Sequence, residues 1–208
     1  MNPRAWGASF QNREEKFELK RQAVLLSAAR LLRNGSYDSM SLADIAVDLG
    51  VAKPTVYYYF RNKEQIVREL MKLAVARMLD PGDHPDDYPE THGLSGAQRF
   101  ERFLRRCIRV ISDDVGACLF TVYPHQLPDD VRKDFVEAGQ PVIEMAAAIL
   151  RRGIADGSVG ACDPVLVYNF AINALRCVPQ LLERNAASAS DIADAFVTLV
   201  TNGIAPRA

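Results

Sequence analysis

The stretch "SLADIAVDLGVAKPTVYYYFRNK", residues 41–63, carries the strongest structural signals of the chain. Ser41 and Asp44 have the spacing of a capping box, in which each side chain binds a free backbone amide at the start of a helix. Gly50 follows the last apolar residue of this short helix, and glycine commonly ends helices. Pro54 fits the first turn of a second helix, because first-turn amides have no helical partner. Two short helices joined by a tight turn predict a helix-turn-helix.

Three consecutive tyrosines, Tyr57, Tyr58 and Tyr59, occupy the second of these helices. Successive helix positions point about 100° apart, so the three rings cannot all face one core. Val56 and Phe60 are four residues apart and are expected to face inward. At least one tyrosine should therefore reach solvent, where its hydroxyl can donate to a phosphate oxygen and its ring can pack on a thymine methyl group. We expect Tyr57 to pack partly against the first helix of the chain.

Lysines stand at both ends of the tyrosine-rich helix. Lys53 and Thr55 lie in its first turn, and a recognition helix presents first-turn residues to base edges. Lys63 opens the next helix, where its ammonium and the nearby free amides favour a phosphate. The charge distribution agrees, because residues 1–80 hold 13 Lys/Arg and 9 Asp/Glu whereas residues 81–208 hold 12 and 17. A polyanion is therefore expected to bind the N-terminal part.

The longer stretch "LLSAARLLRNGSYDSMSLADIAVDLGVAKPTVYYYFRNKEQIVREL", residues 25–70, resembles the N-terminal DNA-binding domain of the TetR family of transcriptional regulators. The matching features are N-G-x-Y, then S-x-x-D-I-A, then L-G-V-x-x-x-T-V-Y-Y-Y-F, then K-E. The resemblance implies an all-α homodimer that binds operator DNA, most often as a repressor, and responds to a small molecule bound in a divergent C-terminal domain.

Carried over position by position, the resemblance implies seven DNA-binding residues. Phosphate contacts are implied for Ser41, Tyr58 and Lys63. Contacts near base edges or the backbone are implied for Lys53, Thr55, Tyr57 and Tyr59. Three positions depart from the family pattern: Ala52 replaces a capping Ser or Thr, Pro54 replaces a common Gly or Arg, and Tyr59 replaces a frequent His. We therefore expect no side-chain cap at Ala52, no base contact at Pro54 and an altered base preference at Tyr59.

The composition excludes several classes of protein. Apolar residues make up 49% of the 208 residues, too many for a disordered chain. The four cysteines form no C-x-x-C pair and only three histidines are present, so neither a disulfide framework nor a zinc site is predicted. No apolar run approaches the roughly 18 residues of a membrane span, and a cytoplasmic protein is expected. No catalytic residue, cofactor or metal is predicted.

The periodicity predicts an all-α chain in four parts. These are a flexible arm (1–13), the DNA-binding domain (14–79), a linker or loop rich in proline and glycine (80–95), and a helical ligand-binding and dimerisation domain (96–208). In the last part, helices are expected at about 96–112, 113–121, 128–154, 163–184 and 189–202. The fourth helix, from about Lys63, should link the DNA-binding part to the rest because it leads into the loop.

A ligand pocket is expected beside the predicted helix 128–154, which Pro141, next to Gly139, should bend. Its candidate lining residues are Phe103, Cys107, Phe120, Tyr123, His125, Met145 and Tyr168. Each of these residues is also compatible with an ordinary core position. Because the lining is mostly apolar, the effector is expected to be a small, largely apolar molecule.

The predicted helices 163–184 and 189–202 are candidates for a dimer interface, because the first is apolar nearly all round. The candidate interface residues are Val167, Leu175, Phe196 and Val200. A core position inside a monomer is the alternative. The polar residues Asn169, Asn173, Arg176 and Gln180 form one stripe, which lines the dimer seam, faces water or reaches a ligand.

Five arginines follow one face of the predicted helix 96–112. They are Arg99, Arg102, Arg105, Arg106 and Arg109. This face is expected to be solvated, and the alternative is an anion site, for instance for a phosphate of an acyl-coenzyme A.

Two other functions remain open for the protein, a helical adaptor that binds proteins and a small-molecule enzyme. No Ser-His-Asp set, phosphate loop or metal cluster supports the enzyme.

Overall fold

The computed structural model describes residues 13–79, 93–184 and 187–206 of the chain. Within these ranges every regular element is helical, which confirms the predicted all-α fold. Nearly all of the predicted arm (1–13) lies outside the described residues, as do residues 80–92 of the predicted linker.

Among the described residues, four helices make up the N-terminal unit. They are α1 (Arg13–Asn34), α2 (Leu42–Leu49), α3 (Lys53–Tyr59) and α4 (Lys63–Leu79). α2 and α3 with the turn between them form the predicted helix-turn-helix, and α1 packs on α2, α3 and α4.

The remaining helices of the described residues lie between Gly96 and Ile204. They are α5 (Gly96–Ile111), α6 (Asp114–Thr121), α7 (Asp129–Ala155), α8 (Pro164–Ala174), α9 (Val178–Glu183) and α10 (Ala189–Ile204). Short 3-10 turns occupy Pro124–Gln126 and Leu175–Cys177. The bounds of α5–α10 agree with the predicted helices except at one place.

The prediction of one continuous helix over residues 163–184 is wrong, because the chain changes to a 3-10 turn between α8 and α9. Pro179 explains the break, since it has no N–H to donate to the Leu175 carbonyl and its ring crowds that oxygen. The stretch Pro164–Glu183 is nevertheless long and apolar enough, by length and composition alone, to cross a membrane, which corrects the expectation that no such run exists. A core helix of a soluble protein can have the same length and apolar composition, so this stretch is weak evidence for a membrane span.

The first hydrophobic core joins the N-terminal unit to the rest of the protein. It is built by α1–α4 and by a segment beyond the predicted linker. The buried residues from that segment are Val115, Cys118, Val122, Leu127 and Val131. A second core lies among α4, α5, α7, α8 and α10. α4 contributes Leu70 to the first core and Met78 to the second, so it connects the two mechanically.

α5 and α7 meet at two glycines. A Cβ atom on Gly96 would stand 2.1 Å from the backbone nitrogen of Gly153, a distance that no real Cβ atom tolerates. The start of α5 can therefore touch the last turn of α7 only because both positions lack side chains. Asp156 completes the junction by accepting a hydrogen bond from the Gly96 amide at 2.7 Å.

α7 runs through Pro141 without interruption over 27 residues. Pro141 leaves the carbonyl of Glu137 without its helical donor. Val131, near the start of α7, packs in the first core, whereas Leu150, near its end, packs in the second. α7 therefore spans both cores, as α4 does.

Candidate nucleic-acid interface and ligand cleft

The start of α2 is capped as the sequence predicts. The Ser41 hydroxyl accepts a hydrogen bond from the Asp44 amide at 3.3 Å, and the Asp44 carboxylate accepts one from the Ser41 amide at 2.9 Å. The hydrogen bonds from the Ser41 side chain and backbone lower the pKa of Asp44. Gly50 ends α2 with φ 66°, a conformation that glycine adopts without steric cost. Ser41 remains exposed at the first turn of α2.

α3 begins without a side-chain cap, as expected from Ala52. Lys53 is exposed and Thr55 is half-buried. Val56 and Phe60 are buried, which confirms the prediction that these two residues face inward. The first turn of α3 is therefore open to solvent, while its other side is fixed in the first core.

The three tyrosines of α3 divide between solvent and core. Tyr57 and Tyr58 are 53% and 68% exposed. Tyr59 is half-buried, and its ring centroid lies 5.0 Å from that of Phe17 in α1. Burial, followed by the neighbouring Tyr58, raises the pKa of Tyr59. Tyr59 and, edge-on, Tyr58 are the tyrosines whose rings lie against Phe17 of α1, whereas the partial packing of Tyr57 on α1 stays a prediction.

Lys63 is positioned by Tyr37. Its ammonium donates to the Tyr37 carbonyl at 3.1 Å and lies 4.2 Å from the centre of the Tyr37 ring. The Tyr37 hydroxyl in turn donates to Glu64 at 2.9 Å. An ammonium has three donors, and the Tyr37 carbonyl accepts from one of those of Lys63. The sequence contained a signal for this partner, since Tyr37 is the tyrosine of the N-G-x-Y motif.

An apolar cleft of about 210 Å³ lies among α4, α6, α7 and α8. Its apolar lining residues are Val75, Met78, Leu119, Phe120, Pro124, Phe135, Val136, Gly139, Val142, Ile143, Tyr168 and Ile172, and its polar ones are Asn169, Asn173 and Arg176. Val75 and Met78 belong to α4, the helix that also supports the helix-turn-helix. A molecule in the cleft would therefore touch the element that connects it to α3.

Two of the seven predicted lining residues, Phe120 and Tyr168, line this cleft. Phe103 and Cys107 are buried in the second core, and burial raises the pKa of the Cys107 thiol to about 12. Tyr123, His125 and Met145 lie outside the lining as well. Tyr123 stacks 4.7 Å from the guanidinium of Arg176, and His125 lies against Tyr123.

Three residues of the predicted polar stripe reach the cleft. Arg176 donates to the Phe120 carbonyl at 2.7 Å and to the Asn173 side chain at 3.1 Å. The Asn173 amide donates in turn to the carbonyl of Asn169 at 2.8 Å. The sequence pattern placed these residues on one stripe, but only the packing of α8 against α7 shows that the stripe faces a cleft.

An apolar face on α8 and α10 is left uncovered in the single chain. Phe170 is 74% exposed, Leu199 is 72% exposed and Leu166 is 54% exposed. The predicted interface residues Val167, Phe196 and Val200 are half-buried against the second core.

The placement of Leu175 at a dimer interface is wrong. This residue is 1% exposed in the single chain. It lies seven residues after Tyr168 and four after Ala171, so it shares the inward face of α8 with these two buried residues. An apolar residue type alone did not distinguish this face from the uncovered one.

The arginine face of α5 is not uniformly solvated, contrary to the expectation from sequence. Arg99 and Arg106 are buried, at 8% and 5% exposed. Arg99 donates to the Leu94 carbonyl at 3.2 Å. Arg105 pairs with Glu101 and Asp194. The second core thus contains guanidinium groups as well as apolar side chains.

Both parts of the chain match known families. Residues 24–70 match the family described as bacterial regulatory proteins, tetR family, and residues 93–204 match the tetracyclin repressor-like C-terminal domain. The chain is 28% identical over 160 residues to the transcriptional repressor KstR2 of Mycolicibacterium smegmatis, covering 73% of each protein. It is 34% identical over 55 residues to the transcriptional regulator EthR of the same organism, which covers 26% of this chain and 25% of EthR.

Solved structures share the fold. The ketosteroid regulator KstR2 of Mycobacterium tuberculosis superimposes with a TM-score of 0.72 at 18% identity, over 90% of this chain and 96% of that one. AibR, solved with isovaleryl coenzyme A and operator DNA, superimposes with a TM-score of 0.66 at 17% identity, over 86% of this chain and 97% of AibR. At these identities the likeness concerns the fold alone.

Proposed function

The chain belongs to the tetR family of bacterial regulatory proteins and is a DNA-binding transcriptional regulator, and on that premise we propose that it is a homodimeric repressor released from a palindromic operator by a small, largely apolar effector. Repression is supported by the similarity to KstR2, a named repressor of which the chain covers 73%. A cytoplasmic location belongs to the same proposal, because the operator lies there.

The proposed DNA-binding residues are Ser41, Lys53, Thr55, Tyr57, Tyr58, Tyr59 and Lys63. The observation that carries this assignment is the exposure of Tyr57 and Tyr58 on a helix whose opposite side is buried. Both rings are largely in solvent beside Lys53, where they can contact a duplex, although the Tyr58 ring also packs edge-on against Tyr59 and Phe17. Tyr59 contributes by fixing α3 on Phe17, with only part of its ring free for DNA.

The proposed dimer forms through the uncovered face of α8 and α10. Phe170, Leu199 and Leu166 expose apolar surface that a monomer has no reason to keep in water. Two helices from each protomer would make a four-helix interface. Burial of these apolar side chains is favourable by about 25 cal/mol per Å². A two-fold axis through this face would give two copies of α3, as a palindromic operator requires.

The proposed effector site is the cleft beside α4. Its lining is mostly apolar, which favours an apolar effector. A ligand that wedges against Val75 and Met78 would tilt α4 and change the separation of the two copies of α3. Because coupling is reciprocal, the effector must lower DNA affinity by the same factor by which DNA lowers effector affinity.

The test is binding of the pure full-length protein to the DNA upstream of its own gene. We expect a footprint of two half-sites on one face of the duplex, separated by roughly 34–36 Å or a multiple of it. Tyr58→Ala should abolish the footprint without changing the fold. Absence of any DNA binding at low salt would contradict the proposal and favour a protein-binding adaptor.

A further inference from the structure

Arg106 of α5 is buried without a hydrogen-bonding partner for most of its guanidinium. The side chain is 5% exposed, and its Nε and Nη1 atoms are buried with no hydrogen-bond partner among the residues that the structure describes. The third nitrogen, Nη2, donates to the thioether of Met145 at 3.8 Å, and a thioether is a weak acceptor. Arginine keeps its proton in proteins, so a positive charge stands in the second core with its donors unused.

The neighbouring arginines show that this state is specific to Arg106. Arg105, one residue earlier, is bound by the carboxylates of Glu101 and Asp194. Arg99, two turns earlier, donates to a backbone carbonyl. A buried charge without a partner is costly, and a buried polar group in a native protein normally has one. The unused buried N–H donors therefore point to a ligand atom that accepts hydrogen bonds from them.

Two aromatic rings connect Arg106 to the cleft. Its guanidinium carbon is 5.9 Å from the ring centre of Phe103, and that ring is 6.3 Å from the ring of Tyr168, which lines the cleft. On α7, Met145 follows the lining residue Val142 by three positions, about one helical turn. Met145 therefore lies one helical turn from a lining residue and also contacts the guanidinium of Arg106 through its sulfur. A methionine side chain is unbranched and changes rotamer easily, so it can move aside for a ligand.

We propose that Arg106 binds the anionic end of the effector, and that the effector is an apolar molecule that ends in a carboxylate. This inference rests on the proposed effector site in the cleft. The apolar body lies along the cleft, and the carboxylate displaces Met145 to accept hydrogen bonds from Nε and Nη2 of Arg106, the two donors on one edge of the guanidinium, in a bidentate pair.

The surroundings favour a carboxylate over a phosphate. Phe103 and Met145, the side chains that contact the guanidinium, are apolar. A single negative charge balances the single positive charge of Arg106, whereas a phosphate dianion would leave a net charge buried in apolar surroundings. A neutral effector would leave the buried positive charge of Arg106 without a counter-charge.

The experiment measures binding of matched probes to the full-length protein by calorimetry. The probes are octanoic, decanoic and dodecanoic acids, each compared with the primary alcohol of equal length. The wild type should bind the acids more tightly than the alcohols by roughly tenfold or more, the range expected for a hydrogen bond to a charged group. Arg106→Met should remove this difference and leave the alcohol affinity unchanged within about threefold.

Two further variants make the outcome specific. Arg106→Lys keeps the charge but loses the planar fork, so part of the acid preference should survive. Arg176→Met removes the cation that lines the cleft and should leave the preference intact. The proposal is overturned if the wild type binds acids no better than alcohols, or binds neither. It is also overturned if Arg176→Met, and not Arg106→Met, removes the preference.

Operator binding distinguishes this inference from the proposed function. Arg106→Met should still bind the operator, because Arg106 belongs to the second core and not to the helix-turn-helix. The unfolding temperature of Arg106→Met should be no lower than that of the wild type, since methionine replaces an unpaired buried charge. A marked loss of thermal stability with an unchanged acid preference would assign Arg106 a purely structural role.

Discussion

The guanidinium of Arg33 lies 3.0 Å from the carboxylate of Asp114, Nη1 to Oδ1, and joins the last turn of α1 to the first turn of α6. The same side chain donates through Nε to Glu183 of α9 at 3.1 Å. On α4, Arg77 pairs with Asp113 at 2.7 Å. The DNA-binding unit is therefore fastened to the C-terminal helices by ion pairs as well as by the shared core.

The first prediction concerns this fastening. Arg33→Ala should lower the free energy of unfolding by about 1 kcal/mol, since Arg33 is mostly buried while both carboxylate partners are partly exposed to solvent. Arg132→Ala is the control, because Arg132 is exposed and pairs only within α7 with Asp129. It should change stability by less than about 0.5 kcal/mol. Urea denaturation measures both, and equal effects would refute a special role for Arg33.

The second prediction separates phosphate contacts from base contacts. Lys63→Ala should weaken binding to the operator and to unrelated DNA alike, and reduce the slope of log affinity against log salt by about one. Tyr58→Phe should weaken both without changing the slope, because no charge is lost. Lys72→Ala is the control, since Lys72 lies two to three turns further along α4 and is 70% exposed. A loss restricted to the operator would show that Lys63 reads sequence.

The third prediction follows from the different burial of Tyr57 and Tyr59, two positions apart on α3. Tyr59→Ala should cost about 1–2 kcal/mol of stability, because it removes a half-buried ring that packs on Phe17. Tyr57→Ala should cost less than about 0.5 kcal/mol, because its ring is mostly in solvent. DNA affinity should fall for Tyr57→Ala although its fold is intact. If Tyr57→Ala binds DNA normally, its ring is not part of the interface.

The fourth prediction tests the dimer face. Phe170→Asp should convert the protein to a monomer in sedimentation, because a carboxylate would be buried without a partner at the interface. Phe170 serves better than Phe196, which is half-buried in the single chain, so that its replacement would also disturb folding. Val47→Asp is the control, at an 81% exposed position on α2, and should stay dimeric. A dimeric Phe170→Asp would place the interface elsewhere.

The fifth prediction uses two glycines with opposite surroundings. Gly96→Ala should destabilise the protein by at least about 2 kcal/mol, because its new Cβ would overlap the backbone at Gly153 and separate α5 from α7. Gly139→Ala should stabilise it by about 0.5–1 kcal/mol, because the position is helical and a Cβ there meets nothing within 4 Å. Thermal unfolding measures both. Similar effects at the two sites would contradict the close approach at Gly96.

Local signals made the helix-turn-helix predictable. The Ser41–Asp44 cap, Gly50 and the inward pair Val56 and Phe60 each depend on residues at most four positions apart, and all are present as expected. The cleft was predicted only in part, because a lining residue is defined by how α8 packs on α7. Phe103 and Phe120 are both phenylalanines on predicted helices. Phe103 is enclosed by the second core, however, whereas Phe120 reaches the cleft.

Most helix bounds, the DNA-binding unit and its family could be predicted from the residues, because capping, helix periodicity and motif spacing act within a few positions. Packing between helices set which of three tyrosines turns to the core, that Leu175 faces inward, and that Arg106 is buried without a partner while Arg105 is paired. These outcomes depend on contacts between segments far apart in the chain, such as Tyr59 with Phe17, and Arg105 with Asp194. Such contacts are fixed by the packing of whole helices, which no short stretch of sequence encodes.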